Sequence, residues 1–248
     1  MFNNTILFKN KVFTMLVAKK YAAANARQYM LMFALIGLMF CAPNALASFK
    51  LESTGVILKE REGRTSFNVE NISSEPILLV VKLHDLDNHS VSKDILISPP
   101  IIRIDPGQSQ QINFVLKKGK TLDREVLLKA SFEGVSQANE NSAKMPIRQD
   151  VGFLLLAASV AETKTPWDDL TVKMVGDELV IGNEGKHVVR LAPQFTLMPS
   201  NEVLPFGEYY FMPGEIKRFN VKAKPTSVQI IPLSRYGFKL PDITLPVE

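Results

Sequence analysis

The stretch Ala143 to Val160, AKMPIRQDVGFLLLAASV, changes its hydrophobic pattern half-way along. In the first half Ala143, Met145, Ile147 and Val151 share one parity, with Lys144, Arg148, Gln149 and Asp150 between them. From Phe153 to Ala158 the run is apolar without a break. Period-two alternation predicts a strand with one open face, and a short unbroken apolar run predicts a strand covered on both faces. One strand is therefore expected to pass from an open surface into a core, leaving its exposed half available to another chain.

Short strands separated by turn residues fill the chain before it. They are predicted over Leu51–Leu58, Thr65–Glu70, Ile77–His84, Ile95–Ile97, Ile101–Ile104, Gln111–Leu116 and Val126–Glu133. Lys59–Gly63, Asn71–Pro76 and Asp105–Gln108 carry the turn chemistry, the last with Pro and Gly at favoured positions. Glu162–Pro166 reads as a linker. Beyond it strands are expected at Leu170–Val175, Glu178–Ile181, His187–Leu197, Tyr209–Met212, Lys217–Lys222, Ser227–Pro232 and Tyr236–Leu240, with a hairpin turn at Gly176-Asp177. No amphipathic helical window of useful length is found. The fold class is all-β: two immunoglobulin-like sandwiches in tandem, residues 48–161 and 162–248.

Charge separates off residues 1–47. They contain Lys9, Lys11, Lys19, Lys20 and Arg27 and no acid, then an apolar run from Tyr29 to Cys41 and Ala45-Leu46-Ala47. A basic start, an apolar stretch and an A-x-A site describe a secretory signal peptide, with cleavage expected after Ala47 and export to the periplasm. Met15 offers an alternative start. Of the 29 basic residues the leader holds five, so the remainder carries 24 against 25 acidic ones. The basic balance of the whole chain thus belongs to the leader and gives no argument for nucleic acid. The one cysteine, Cys41, leaves with it, so the mature domains depend on their cores rather than on disulfides.

Catalytic chemistry finds little support. His84 and His89 flank Asp85 and Asp87, but at a strand end and in a polar loop, where solvated side chains are the ordinary expectation. No G-x-S-x-G, H-E-x-x-H or phosphate-cradling Gly-rich loop is present. Neither an enzyme, a metal site nor a cofactor is expected.

The block Ser98-Pro99-Pro100-Ile101-Ile102-Arg103-Ile104-Asp105-Pro106-Gly107-Gln108 resembles the signature of the periplasmic pilus-assembly chaperones of the chaperone–usher pathway. Asn71, Asp123-Arg124-Glu125, Asn183 and Met212-Pro213-Gly214 fall in that family's order, and the resemblance runs from Phe49 to Leu240. It implies an L-shaped pair of sandwiches that binds pilus subunits and passes them to an outer-membrane usher. Such subunits lack a strand, and the chaperone lends one: backbone bonds complete the ladder and alternate side chains fill pockets. Ala143, Met145, Ile147 and Val151 would be those side chains. The loop Gly134–Ser142 looks like the short-loop type of the family.

Two departures mark a divergent branch. The family places an Arg in the first strand and a Lys in the donor strand to grip the subunit's terminal carboxylate; here those positions are Gly55 and Gly152. Backbone N–H groups at the two glycines, or the neighbouring cations Arg148 and Lys50, are the expected substitutes. The family also holds its domains with a buried Arg–Glu–Asp network; here Glu125 keeps its place while Leu156 and Arg235 replace its partners, which leaves a Glu125–Arg235 pair. The alternative function is a structural pilus subunit or a secreted adhesin-type sandwich. An exposed strand also invites self-capping as a homodimer.

Overall fold

The computed structural model describes residues 48–87, 90–136 and 145–248; the leader with its expected cleavage site, His89, Ala143 and most of the Gly134–Ser142 loop lie outside them. The first half of the described chain forms nine strands. They are β1 (Phe49–Leu51), β2 (Gly55–Lys59), β3 (Arg64–Asn71), β4 (Ile77–Asp85), β5 (Ile95–Ser98), β6 (Ile101–Ile104), β7 (Ser109–Leu116), β8 (Val126–Ser136) and β9 (Ile147–Leu156). One sheet has the order β1-β3-β7-β5 and the other β2-β9-β8-β4-β6. Alternate residues of both sheets enter a shared core, in which Phe67 stacks on Phe132 and Phe114 meets Phe153 edge-on.

The single strand expected over Leu51–Leu58 is two. β1 pairs with β3, and β2 pairs in parallel with β9 in the opposite sheet. Between them the chain crosses sheets at Glu52–Thr54, where the Glu52 carboxylate accepts the Asn68 N–H. Phe49 and Leu58 are both fully buried, so the segment serves both sheets, which requires the break.

The second sandwich is built from β10 (Leu170–Val175), β11 (Glu178–Asn183), β12 (Val189–Arg190), β13 (Gln194–Met198), β14 (Glu202–Pro205), β15 (Tyr210–Phe211), β16 (Ile216–Asn220), β17 (Ser227–Ile230) and β18 (Ile243–Pro246). Sheets β10-β11-β16 and β14-β13-β17-β18 cover a core around Phe195, Phe206 and Phe211, and β12 pairs with β15 as a short ribbon. The run His187–Leu197 divides into β12 and β13 around Pro193, which has no N–H to give a ladder. Tyr236–Leu240 is a turn rather than a strand. Gly237 adopts a φ of +87°, and Ser234 donates its N–H to the Phe238 carbonyl.

One asparagine device serves each sandwich. Asn71 is fully buried, donates to the carbonyls of Glu75 and Ile104, and accepts the Ser73 N–H. Asn183 donates to the carbonyls of His187 and Phe211 and accepts the Gly185 N–H. Each side chain ties the turn that follows it to the end of a neighbouring strand, satisfying backbone groups of both.

Candidate functional site: the β9 edge and the interdomain cleft

β9 pairs with β8 from Ile147 to Leu155, but with β2 only from Gly152 to Leu156. Its other edge, over Ile147–Val151, has no strand partner among the described residues. The parity that the alternation singles out lines an open groove: Ile147, Gln149 and Val151 face Phe49, Leu51, Ile72 and Phe238. Met145 is 86% exposed and Ile147 38%. Val151 is half-buried and packs on the first core while still lining the groove. Gln149 ties the groove floor by donating to the Phe49 carbonyl.

Past Gly152 the same strand is enclosed. Phe153 and Leu155 point into the first core, while Leu154 and Leu156 join Leu127, Val188 and Met212 in a cluster shared with the second sandwich. The unbroken apolar run therefore reflects cover by two different partners, the protein's own core and its neighbouring domain.

Glu125 organises the rest of that border. Its N–H donates to the Lys186 carbonyl at 2.8 Å, and its Oε2 accepts the Val188 N–H at 3.0 Å. Its Oε1 lies 3.6 Å from Nη2 of Arg235, so the structure brings together the pair expected from sequence. Burial pushes the Glu125 carboxyl above its ordinary value, against the lowering pull of the Val188 N–H and the Arg235 charge. Leu156, standing where the resemblance places a cation, belongs to the apolar cluster instead.

The remaining residues singled out in sequence are dispersed. Gly55 and Gly152 are direct parallel neighbours where β2 meets β9. Arg148 lies on the other parity of β9, 3.4 Å from Asp150. Lys50 is exposed on β1 and borders the groove. Sequence reasoning missed Arg190 of β12. Its guanidinium comes across the border and lies over Gly152, where a Cβ would sit 3.5 Å from Nη1. Only the emptiness of positions 55 and 152 hinted that a cation had to come from elsewhere.

The family model for pili and flagellar-assembly chaperones, PapD N-terminal domain, matches residues 48–159. A fimbrial chaperone of Escherichia coli K12, YhcA, itself uncharacterized, is 32% identical over 200 residues, spanning 79% of this chain and 89% of that protein. The chain belongs to the pilus-assembly chaperone family. Solved members share its fold. The Pseudomonas aeruginosa CupB2 chaperone matches with a TM-score of 0.65 at 17% identity, over 80% of this chain and 100% of that one. The complex of Salmonella enterica SafA pilin with the SafB chaperone matches at 0.68 and 22% identity, over 82% and 98%. For this chaperone family a role in pilus assembly and a periplasmic location follow from membership.

Proposed function

We propose that this chaperone stabilises pilus subunits without enzymatic chemistry, by lending them the free edge of β9, and then delivers them to an outer-membrane usher. The observation that carries this is the split character of β9: an unpaired, apolar edge at Met145–Val151 continuous with a root at Phe153–Leu156 buried on both faces. A subunit strand added there gains backbone bonds, and Met145 and Ile147 enter its pockets, each contributing on the order of 1.5–3 kcal/mol. Ala143 would continue the same row. The root lets the strand be donated without unravelling the donor, because the first core holds it in place. The SafA–SafB structure is a pilin held by a chaperone of this fold, which supports a subunit as the partner.

Co-expression in a periplasm with pilus subunits encoded beside the chaperone tests the reading. Replacing Met145 and Ile147 together by Asp is expected to abolish recovery of the subunit complex. Unchanged recovery would show that β9 is not the donor.

A further inference from the structure

We propose that the cavity at the border of the two sandwiches, bounded by Lys164, Arg190 and Arg235, is a binding site for inorganic phosphate. The site is separate from the donor edge: its lining shares no residue with the groove along β9.

The fold sets three cations around one carboxylate there. Lys164 comes from the linker, Arg190 from β12 and Arg235 from the turn after β17. The carboxylate is Glu125, already engaged by Arg235 and the Val188 N–H. Arg190 has no counter-ion. Its Nη1 donates to the Arg235 carbonyl at 2.9 Å, while its Nε is buried with no hydrogen-bond partner. Burial lowers its pKa with no charged neighbour to offset the effect, yet a guanidinium stays charged in a protein. Lys164 likewise forms no ion pair among the described residues. A desolvated charge left unpaired is strongly unfavourable, and an anion entering here relieves it.

Shape and donor chemistry select which anion. Leu154, Trp167, Leu233 and Leu240 supply apolar walls, and charges of one sign set in such walls concentrate an attractive field. The cavity holds about 240 Å³, against the ~10–15 Å³ that one water requires, so a polyatomic ion fits. Its cations arrive from three separate segments, which suits a tetrahedral oxyanion with acceptors on every side better than a planar carboxylate. His187 also lines the cavity. Its Nε2 donates to the Ala161 carbonyl at 2.9 Å, so in the neutral ring Nδ1 is an acceptor. That Nδ1 is buried with no hydrogen-bond partner, and the Asp169 carboxylate, at 3.9 Å, cannot supply a proton to it. Hydrogen phosphate combines oxygens for the cations with an O–H for such an acceptor. Bound there, it would tie the linker, β12 and the turn after β17 together across the border.

Titration of the free chaperone with inorganic phosphate, read by melting temperature and by phosphorus-NMR line broadening, tests this. Phosphate raises stability in general by exclusion from protein surfaces, so the informative response is the one that saturates at constant ionic strength. The parent is expected to saturate with a Kd of about 0.1–10 mM. Arg190→Gln should bind about tenfold more weakly or worse, with Arg190→Lys in between. Lys164→Gln, at an exposed linker position that leaves the border packed, should bind about two- to fivefold more weakly. No saturable response in the parent, or unchanged affinity in Arg190→Gln or Lys164→Gln, overturns the site. The Met145→Asp, Ile147→Asp double variant should bind phosphate as the parent does; loss of binding there would move the anion to the groove and overturn the site as well. Vesicles of phosphatidylglycerol form the last arm: binding to them without a response to free phosphate assigns the cations to a lipid headgroup and against this proposal.

Discussion

Glu125 and Arg235, 110 positions apart in sequence, meet with 3.6 Å between Oε1 and Nη2 at the border of the two sandwiches. Glu125 is only 5% exposed, so Arg235 offsets a buried charge rather than decorating a surface. Replacing Arg235 by Met is expected to lower stability by about 1–3 kcal/mol at neutral pH, read by urea unfolding. A loss under about 0.3 kcal/mol would show the pair to be idle.

The pH dependence has a definite sign. The raised pKa of Glu125 means that the folded protein holds this proton at a higher pH than the unfolded chain does. Stability from the protonated form is present below the ordinary glutamate value of 4.5 and is lost as pH rises through the raised folded value. Glu125→Gln, permanently neutral, should therefore gain melting temperature relative to the parent as pH climbs from about 4.5 to 7. A difference that stays flat across this range contradicts the assignment.

The two halves of β9 should respond oppositely to truncation in the free protein. Met145→Ala and Ile147→Ala are expected to stay within about 0.5 kcal/mol of the parent, because these side chains are exposed. Phe153→Ala, a few residues along, should cost about 3–5 kcal/mol. Chemical unfolding of the three variants decides this; comparable losses at Ile147 and Phe153 would place Ile147 in the protein's own core.

Two glycines of the first sandwich differ in the room around them. A Cβ at Gly134 would lie 2.7 Å from the ring of fully buried Phe49, whereas at Gly152 the nearest atoms are at 3.5 Å. Gly134→Ala is expected to destabilise by about 1–3 kcal/mol through displacement of that ring. Gly152→Ala should be close to neutral. Equal melting temperatures for the two variants would contradict the packing.

The paired asparagines give a test in each domain. Asn71→Ala removes the side-chain donor to the buried Ile104 carbonyl and Asn183→Ala the one to the buried Phe211 carbonyl, so each should lose about 1–3 kcal/mol in thermal or urea unfolding. A neutral outcome would mean that water replaces the side chain.

Much of this architecture was legible because strands announce their surroundings. The alternation at Met145–Val151 and the run at Phe153–Leu156 marked where β9 changes from a surface to a core strand. Periodicity does not report which sheet a segment joins, so the crossing at Glu52–Thr54 was invisible in a run that reads as one strand. Tyr236–Leu240 has the composition of a strand, but the left-handed Gly237 turns it. The strands Glu202–Pro205 and Ile243–Pro246 were missed because Pro and acidic residues dilute short edge strands. Arg190 was out of reach for a different reason: its position over Gly152 depends on how two domains are set together, and no local pattern encodes that.

β9 also determines how the protein would carry a load. Its ladder runs beside β8 from Ile147 to Leu155 and beside β2 from Gly152 to Leu156. Hydrogen bonds of such a ladder lie across the strand axis, so tension along β9 strains many of them at once instead of peeling them singly. Drawn lengthwise by a departing neighbour, the strand is braced in shear by the sheet it belongs to. Single-molecule pulling along β9 should accordingly meet a higher rupture force than peeling the three-residue β1 from β3.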